Sequence, residues 1–361
     1  MKIIHCADLH LDSKMESNLS TEKASERRVE LMQTFIKMID YAKSNDVSVI
    51  IIAGDMFDTS QNTHIRIKKR VLEQIQNAAD IDFIYLRGNH DRVDFFEKID
   101  NKPDNLKTFN DSWESYEYDN LSISGCEFSK EMNKNIYSKL FLDEEKLNIV
   151  VLHGQESIYD NKDDAEIINL RKLQNKNIDY LALGHIHSYK YEKLDNRGHY
   201  CYSGCLEGRG FDECGEKGFV LLNINNNIID HEFIPFANRK FHCIEITLNS
   251  LMSELEIQSR IEEQINEISS KDSLKIILTG EIDEETDIDI KYLTKLFYDR
   301  FYFMKIYDKT SLEIKYEDYA KDISLKGEFI RLVDSQDLDD DEKNKIILTG
   351  LRALAGREID I

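Results

Sequence analysis

Two kinds of apolar pattern alternate over the first hundred residues. Short continuous runs, "KIIHCA" before the acidic "DLHLD", "VSVIIIAGD" and "IDFIYLRGNHD", are rich in β-formers and end in Gly and polar residues, as buried strands do. Between the first two, "TEKASERRVELMQTFIKMIDYAKSND" places Val29, Met32, Phe35, Ile36 and Ile39 on one stripe at helical spacing, with Ser20 or Thr21 as N-cap. "THIRIKKRVLEQIQNAAD" predicts a second helix before the third strand. Alternation of strand and helix predicts parallel neighbours in one sheet.

From residue 121 the runs shorten to "LSISGCEF", "LNIVVLHG", "YLALGHIH", "HYCYSG" and "GFVLLNINNN", separated by turn-forming segments. They predict a second sheet layered on the first. The expected fold class is therefore α/β, or layered α+β: a β-sandwich flanked by helices over residues 1–237. A strand, helix, strand, helix, strand pattern follows and predicts a small α+β domain over 238–315, with Pro235 near the boundary. Residues 316–361 read as a helical tail, its last helix carrying acids in the first turn and Gly356 near the end. Ile346, Ile347, Leu351 and Leu354 form an apolar stripe there, expected to face a partner, with packing onto its own domain as the alternative.

Charge narrows the possible functions. With 47 basic and 69 acidic residues the chain carries a formal charge of −22, which repels nucleic acid and anionic membranes unless positive charge is concentrated locally. The six cysteines form no C-x-x-C pair, as in a reduced cytoplasmic protein, and the spacing of Cys201, Cys205 and Cys214 matches no zinc pattern. No stretch approaches the roughly 18 apolar residues of a membrane span, so a soluble protein without a membrane partner is expected.

Candidate chemistry lies where the apolar runs end. Five polar clusters occupy such positions: Asp8-x-His10, Gly54-Asp55, Gly88-Asn89-His90-Asp91, His153-Gly154 and Gly184-His185-x-His187. In layered α/β folds, loops at strand ends converge on one site. Each cluster alone is commonplace; all five in this order point to a metal centre. The donors would be two Asp, one Asn amide oxygen and four His, enough for two ions sharing a carboxylate, and they disfavour purely structural zinc. With neutral imidazoles prevailing, two divalent ions, two carboxylates and a hydroxide leave an excess of about one positive charge, enough to attract a phosphate.

"DLH", "GDMFD", "GNHD", "LHGQ" and "GHIH" resemble the five signature motifs of calcineurin-like metallophosphoesterases. More narrowly, "ADLHLDS", "GHIHSY" and "YSGCLEGRGFDECGEKGFVLL" are similar to SbcD/YhaO-type DNA-repair exonuclease subunits over about residues 1 to 235. The resemblance implies that Asp8, His10 and His187 bind one ion, that Asn89, His153 and His185 bind the other, and that Asp55 bridges. His90 would stabilise or protonate the leaving oxygen during in-line attack by hydroxide, with Asp91 orienting it. It further implies manganese, with iron or magnesium compatible, and DNA as substrate, cut by exonuclease and single-strand endonuclease action. An SbcC-like coiled-coil SMC-type ATPase held by the C-terminal tail, a capping role for the α+β domain and a homodimer complete the expectation. A phosphatase or phosphodiesterase acting on small nucleotides or phosphoproteins, and a scaffold that has lost its chemistry, are the alternatives.

The sequence departs from the family pattern at Arg92, where Pro often follows the "GNHD" motif, and at Cys205, where Ser is usual. Neither is an expected ligand. His5 reads as a core histidine, and His64, His199, His231 and His242 as structural. Arg66, Lys68, Lys69 and Arg70 read as a solvated helix face or a phosphate-contacting patch, and Trp113 with its neighbouring tyrosines as edge packing or a base-stacking surface.

Overall fold

The computed structural model describes residues 1–15, 19–58, 65–91, 102–127, 136–159, 167–283, 286, 288–313 and 319–354. Arg92, His64 and Gly356 lie outside them. The chain divides into two compact units, Met1–Lys240 and Phe241–Ile361. No described helix is long and apolar enough to cross a membrane.

The first unit is built on two six-stranded sheets. In one, β1 (Lys2–Cys6), β2 (Val47–Ala53), β3 (Asp82–Leu86) and β4 (Leu106–Thr108) run parallel, with α1 (Thr21–Ser44) and α2 (Ile65–Gln76) as the intervening helices. The other has the order β11 (Lys190–Lys193), β12 (His199–Tyr202), β10 (Tyr180–Gly184), β7 (Leu147–His153), β6 (Leu121–Gly125), β5 (Glu114–Tyr118). Its central four strands are parallel. A small ribbon, β8 (Gln155–Ser157) and β9 (Ile167–Asn169), precedes the single turn α3 (Leu170–Leu173).

Strand alternation explains why these runs are apolar throughout. Along β2, Val49, Ile51 and Ala53 join Ile3, Ile84, Ile149, Val151 and Ala182 in one buried cluster, whereas Ile50 and Ile52 pack with Phe35, Met38, Val71 and Ile75 of the helices. Both faces of the strand are covered, so a continuous apolar run is what it requires.

Three sequence expectations shift. Ser20 caps α1 as expected, accepting from Lys23 N at 3.3 Å, but the buried stripe takes in Leu31 and Met38 and leaves Val29 49% exposed. "GFVLLNINNN", expected in the second sheet, forms β13 (Gly218–Asn225) in the first, antiparallel to β1 and paired with β14 (Ile228–Pro235). Asn226 and Asn227 both have positive φ, 48° and 62°, and make the two-residue turn whose twist returns the chain along the same sheet. The first unit also extends past residue 237. Phe236 and Ala237 donate backbone N–H groups to the Lys217 carbonyl at 2.8 and 3.1 Å, and Arg239 grips Glu30.

In the second unit β15 (Phe241–Leu248), β16 (Ser273–Ile282) and β17 (Phe303–Asp308) are parallel, with β18 (Ser311–Leu312) pairing the end of β16. They are connected through α4 (Glu254–Ile265) and α5 (Ile290–Phe297). The segment expected as a separate tail packs here instead. Ile330 and Val333 of α6 (Leu325–Asp334) and Ile347 of α7 (Asp340–Leu354) belong to the unit's buried cluster, and Leu351 packs against it. Ile346 and Leu354 remain 42% and 48% exposed.

Two polar residues of α1, Arg27 and Thr34, are buried, and both reach Glu207. The Arg27 guanidinium donates to Glu207 Oε2 at 3.0 Å and the Gly208 carbonyl at 2.8 Å, and also pairs with Glu30. Replacing Arg27 with Met would leave the buried Glu207 carboxylate without its guanidinium, so Arg27→Met should cost about 3–5 kcal/mol of stability. Chemical denaturation checks this; a loss under about 1 kcal/mol would contradict the assignment.

Candidate metal centre

Parallel strands present their C-terminal ends on one side, and both sheets do so here. Asp8 and His10 follow β1, Asp55 follows β2, Asn89 and His90 follow β3, His153 ends β7, and His185 and His187 follow β10. Asp8 N donates to the Gly54 carbonyl at 3.1 Å and His10 N to the Asp55 carbonyl at 3.0 Å. The backbone is strained there: Asp8, His10, Asp55 and His185 have φ of 53°, 42°, 50° and 102°, a region costing non-glycine residues roughly 1–2 kcal/mol each.

The side chains form two neighbouring groups. In one, His10 Nε2 lies 3.4 Å from His187 Nε2 and 3.9 Å from Asp55 Oδ2, and ligand atoms of Asp8, His10 and His187 lie within 4.8 Å of one another. In the other, His153 Nε2 lies 2.9 Å from Asn89 Oδ1 and 3.4 Å from Asp55 Oδ2, with His185 Nδ1 3.3 Å from the same Asn89 oxygen. Both oxygens of the Asp8 carboxylate accept from His185 N, at 3.0 and 3.1 Å.

The opposite ring nitrogens explain why these contacts suit cations. His153 Nδ1 faces the Ala53 carbonyl at 2.9 Å, an acceptor only, so Nδ1 carries the hydrogen and Nε2 of the neutral ring directs a lone pair at two further acceptors. His10 Nδ1 lies 3.1 Å from Asp58 Oδ1, His187 Nδ1 lies 2.6 Å from Glu213 Oε1 and 3.3 Å from Arg209 Nη2, and the two Nε2 atoms meet at 3.4 Å. Acceptors facing acceptors require a proton or a metal ion between them. Edges of about 3 Å are those of donors around a small octahedral cation at about 2.1 Å. The donor set therefore fits divalent ions.

Titration follows the same geometry. Burial pushes the Asp55 carboxyl up, but His153 and then His10 outweigh it and hold it well below the usual carboxylate range. Burial pushes His153 down, and Asp55, with Asp8 beyond it, reverses this to about 9. The proton that His153 holds is the one a metal ion displaces.

The profile described as calcineurin-like phosphoesterase matches residues 1–189, more than half of the chain. This chain belongs to that family. It is a metal-dependent phosphoesterase, and the family's chemistry uses a dimetal centre. The chain is 28% identical over 274 residues to a protein of Sulfurisphaera tokodaii named DNA double-strand break repair protein Mre11, covering 70% of this chain and 67% of that one. It is 27% identical to a component of the SbcCD nuclease of Staphylococcus saprophyticus, covering 72% and 76%. With the metallophosphoesterase YhaO of Bacillus subtilis it shares 23% identity, covering 78% and 72%.

All seven expected ligands of this phosphoesterase thus lie within the two groups. His90 sits at their edge with its side chain 43% exposed, its backbone N–H donating to Asp55 Oδ1 at 2.9 Å. Asp91 lies elsewhere: it is fully buried, and its carboxylate accepts from Met56 N at 2.7 Å and Phe57 N at 3.0 Å, holding the "GDMFD" loop. Burial first, and then Asp55, push its carboxyl up to about 7. The carboxylate beside the His90 ring is Asp58, with Oδ1 3.6 Å from Nδ1. The His10 ring beside it does most to hold Asp58 down at about 2.

Sequence reasoning passed over Asp58, Glu213 and Arg209. Asp58 is the last letter of the quoted "GDMFD", and Glu213 stands in "GRGFDECGEKG", so a search for acids able to hold the second ring nitrogens of the histidines points to both; Arg209, four residues before Glu213, has no such signal. His5 is a core histidine against the Tyr180 hydroxyl at 2.9 Å, pushed by burial to about 3. His231 and His199 stack on Tyr191, and His242 pairs with Asp272. Of the cysteines, Cys205 alone joins a candidate group among the described residues, with His187 and Glu213. Trp113 donates its indole N–H to the Ile136 carbonyl at 2.8 Å. Arg66 and Arg70 line a surface groove with Arg28 and Lys14.

Gly54 is needed for close approach. It has φ +98°, and a Cβ there would lie 2.0 Å from His153 Nδ1. Gly54→Ala should displace His153 and lower the bound metal from two ions to one, as elemental analysis would reveal. Two ions retained in full by this variant would refute the packing argument.

Proposed function

We propose that this phosphoesterase is a manganese-dependent DNA nuclease of repair, cleaving phosphodiester bonds as an exonuclease and as a single-strand endonuclease. The observation that carries the reading is the pair of donor groups sharing the Asp55 carboxylate, with His90 half-exposed at their edge. Asp8, His10 and His187 would hold one ion, Asn89, His153 and His185 the other, and Asp55 both. When bound, the ions supply Lewis acidity and a water that ionises near neutral pH. An all-oxygen and nitrogen donor set with ring and amide ligands suits manganese, iron or magnesium, and manganese is our choice.

The chain's own residues do the rest. Neutral imidazoles and one amide leave the site's positive charge uncompensated, so a phosphodiester is drawn in and its developing charge stabilised. His90, its backbone tied to Asp55 and its Nδ1 3.1 Å from the Asp58 carbonyl, has a half-exposed ring that would stabilise or protonate the leaving oxygen.

DNA as substrate is supported by the names of the archaeal and staphylococcal relatives. A chain of −22 must approach DNA with help, which supports a coiled-coil ATPase partner bringing much of the duplex-binding surface. The exposed Ile346 and Leu354 of α7 would face that partner, and a homodimer would set two such sites side by side.

With manganese, the purified protein should degrade linear duplex and single-stranded DNA, and chelation should abolish this. Turnover of mononucleotides or phosphopeptides with no cleavage of any DNA, alone or with a coiled-coil ATPase, would sink the nuclease reading. His90→Ala should retain two ions yet lose about 10²–10⁴-fold in rate. Wild-type turnover by that variant would remove His90 from its role.

A further inference from the structure

The two donor groups are braced differently. His153 is fixed from behind by main chain, through Nδ1 and the Ala53 carbonyl at 2.9 Å. His10 and His187 are fixed by side chains, Asp58 behind one and Glu213 behind the other. One residue joins these two carboxylates. Arg209 Nη1 donates to Asp58 Oδ1 at 3.3 Å, while Nη2 and Nε donate to Glu213 Oε1 at 3.0 and 3.2 Å. Its backbone N–H donates to Glu213 Oε2 at 2.7 Å, so both oxygens of that carboxylate are held by the same residue.

Arg209 is itself anchored. The preceding Gly208 carbonyl and Glu207 carboxylate are gripped by the buried Arg27. The His187 backbone carbonyl is held by Lys217 Nζ at 2.6 Å, and its ring Nδ1 faces Glu213 Oε1 at 2.6 Å and Arg209 Nη2 at 3.3 Å.

We propose that Arg209 is a positioning residue that locks His10 and His187 as a pair by bridging Asp58 and Glu213, so that one ion of the centre depends on it and the other does not. The inference rests on the dimetal reading above. Arginine suits the task because its planar fork reaches two acceptors in fixed geometry, which the single ammonium of lysine does not. Without the bridge, Asp58 and Glu213 turn independently, and the two Nε2 atoms no longer converge on one point. The group built on Asn89, His153 and His185 keeps its main-chain brace.

Manganese alone is the probe. Calorimetric titration of the metal-free full chain should resolve two binding steps in wild type. In Arg209→Gln one step should weaken about 10–100-fold, the usual cost of losing an outer partner of a metal-ligating histidine, with the other unchanged. With two equivalents of manganese, at a concentration that fills both sites of wild type, the electron paramagnetic resonance signal should change from a coupled pair in wild type to a single bound ion in the variant. Arg209→Lys should show the same one-sided weakening, smaller in size, and is judged on the same criterion should Arg209→Gln not fold. Equal weakening of both steps, or none, would overturn the proposal. Wild type that binds no manganese would overturn the dimetal reading itself, and this inference with it.

Discussion

A carboxylate that is 2% exposed is costly unless something positive stands beside it, and Asp55 is such a group at the meeting point of both sheets. Its partners come from three strand ends: the backbone N–H of His90 after β3, the ring of His153 from β7 in the opposite sheet, and His10 after β1. The two sheets thus share an electrostatic obligation at one edge of their interface as well as an apolar core between them. Displacing either would leave Asp55 uncompensated.

This requirement accounts for local features that are unfavourable taken singly. Four site residues adopt left-handed backbone, and Gly88 stands where a Cβ would come within 2.1 Å of Asp55 Oδ1. Side chains reach the carboxylate only if the chain turns sharply at each strand end and a neighbouring backbone comes close. Asp91 contributes from beneath. Its carboxylate takes the Met56 and Phe57 N–H groups that the turn after Asp55 would otherwise leave unpaired.

The elements most legible in the sequence were those whose signal is local. The buried strand at Val47–Ala53, parallel order in the first sheet and the strands at Phe241–Leu248 and Phe303–Asp308 follow from periodicity and strand-end chemistry. The five polar clusters were legible because they recur at strand ends, and the structure brings them side by side. Long-range choices were not. Nothing local tells β13 to return to β1 instead of extending the second sheet, since its pattern suits either. Asp91 was misread because adjacency to His90 along the chain says nothing about direction: the chain turns and sends its carboxylate into the core. Asp58 and Glu213 were missed because an acid in a loop has no periodicity to mark it, and their meaning comes from residues far along the chain, as the contact of Arg209 with Asp58, 151 positions apart, illustrates.

The last tension is between a chain of −22 and an anionic substrate. Screening resolves part of it. At physiological ionic strength exposed charges fade over roughly 8 Å, so most of the acidic surplus is muted at the site, whereas charges close together at a partly buried centre are not. The balance there is set by side-chain type: of the seven residues in the two groups, four imidazoles and one amide add no negative charge, and only Asp8 and Asp55 do. The neighbouring acids, Asp58 and Glu213, are each paired with Arg209 as well as with a histidine. The arginine thus offsets the charge of the acids that stand behind His10 and His187, and so limits the negative potential beside the two groups.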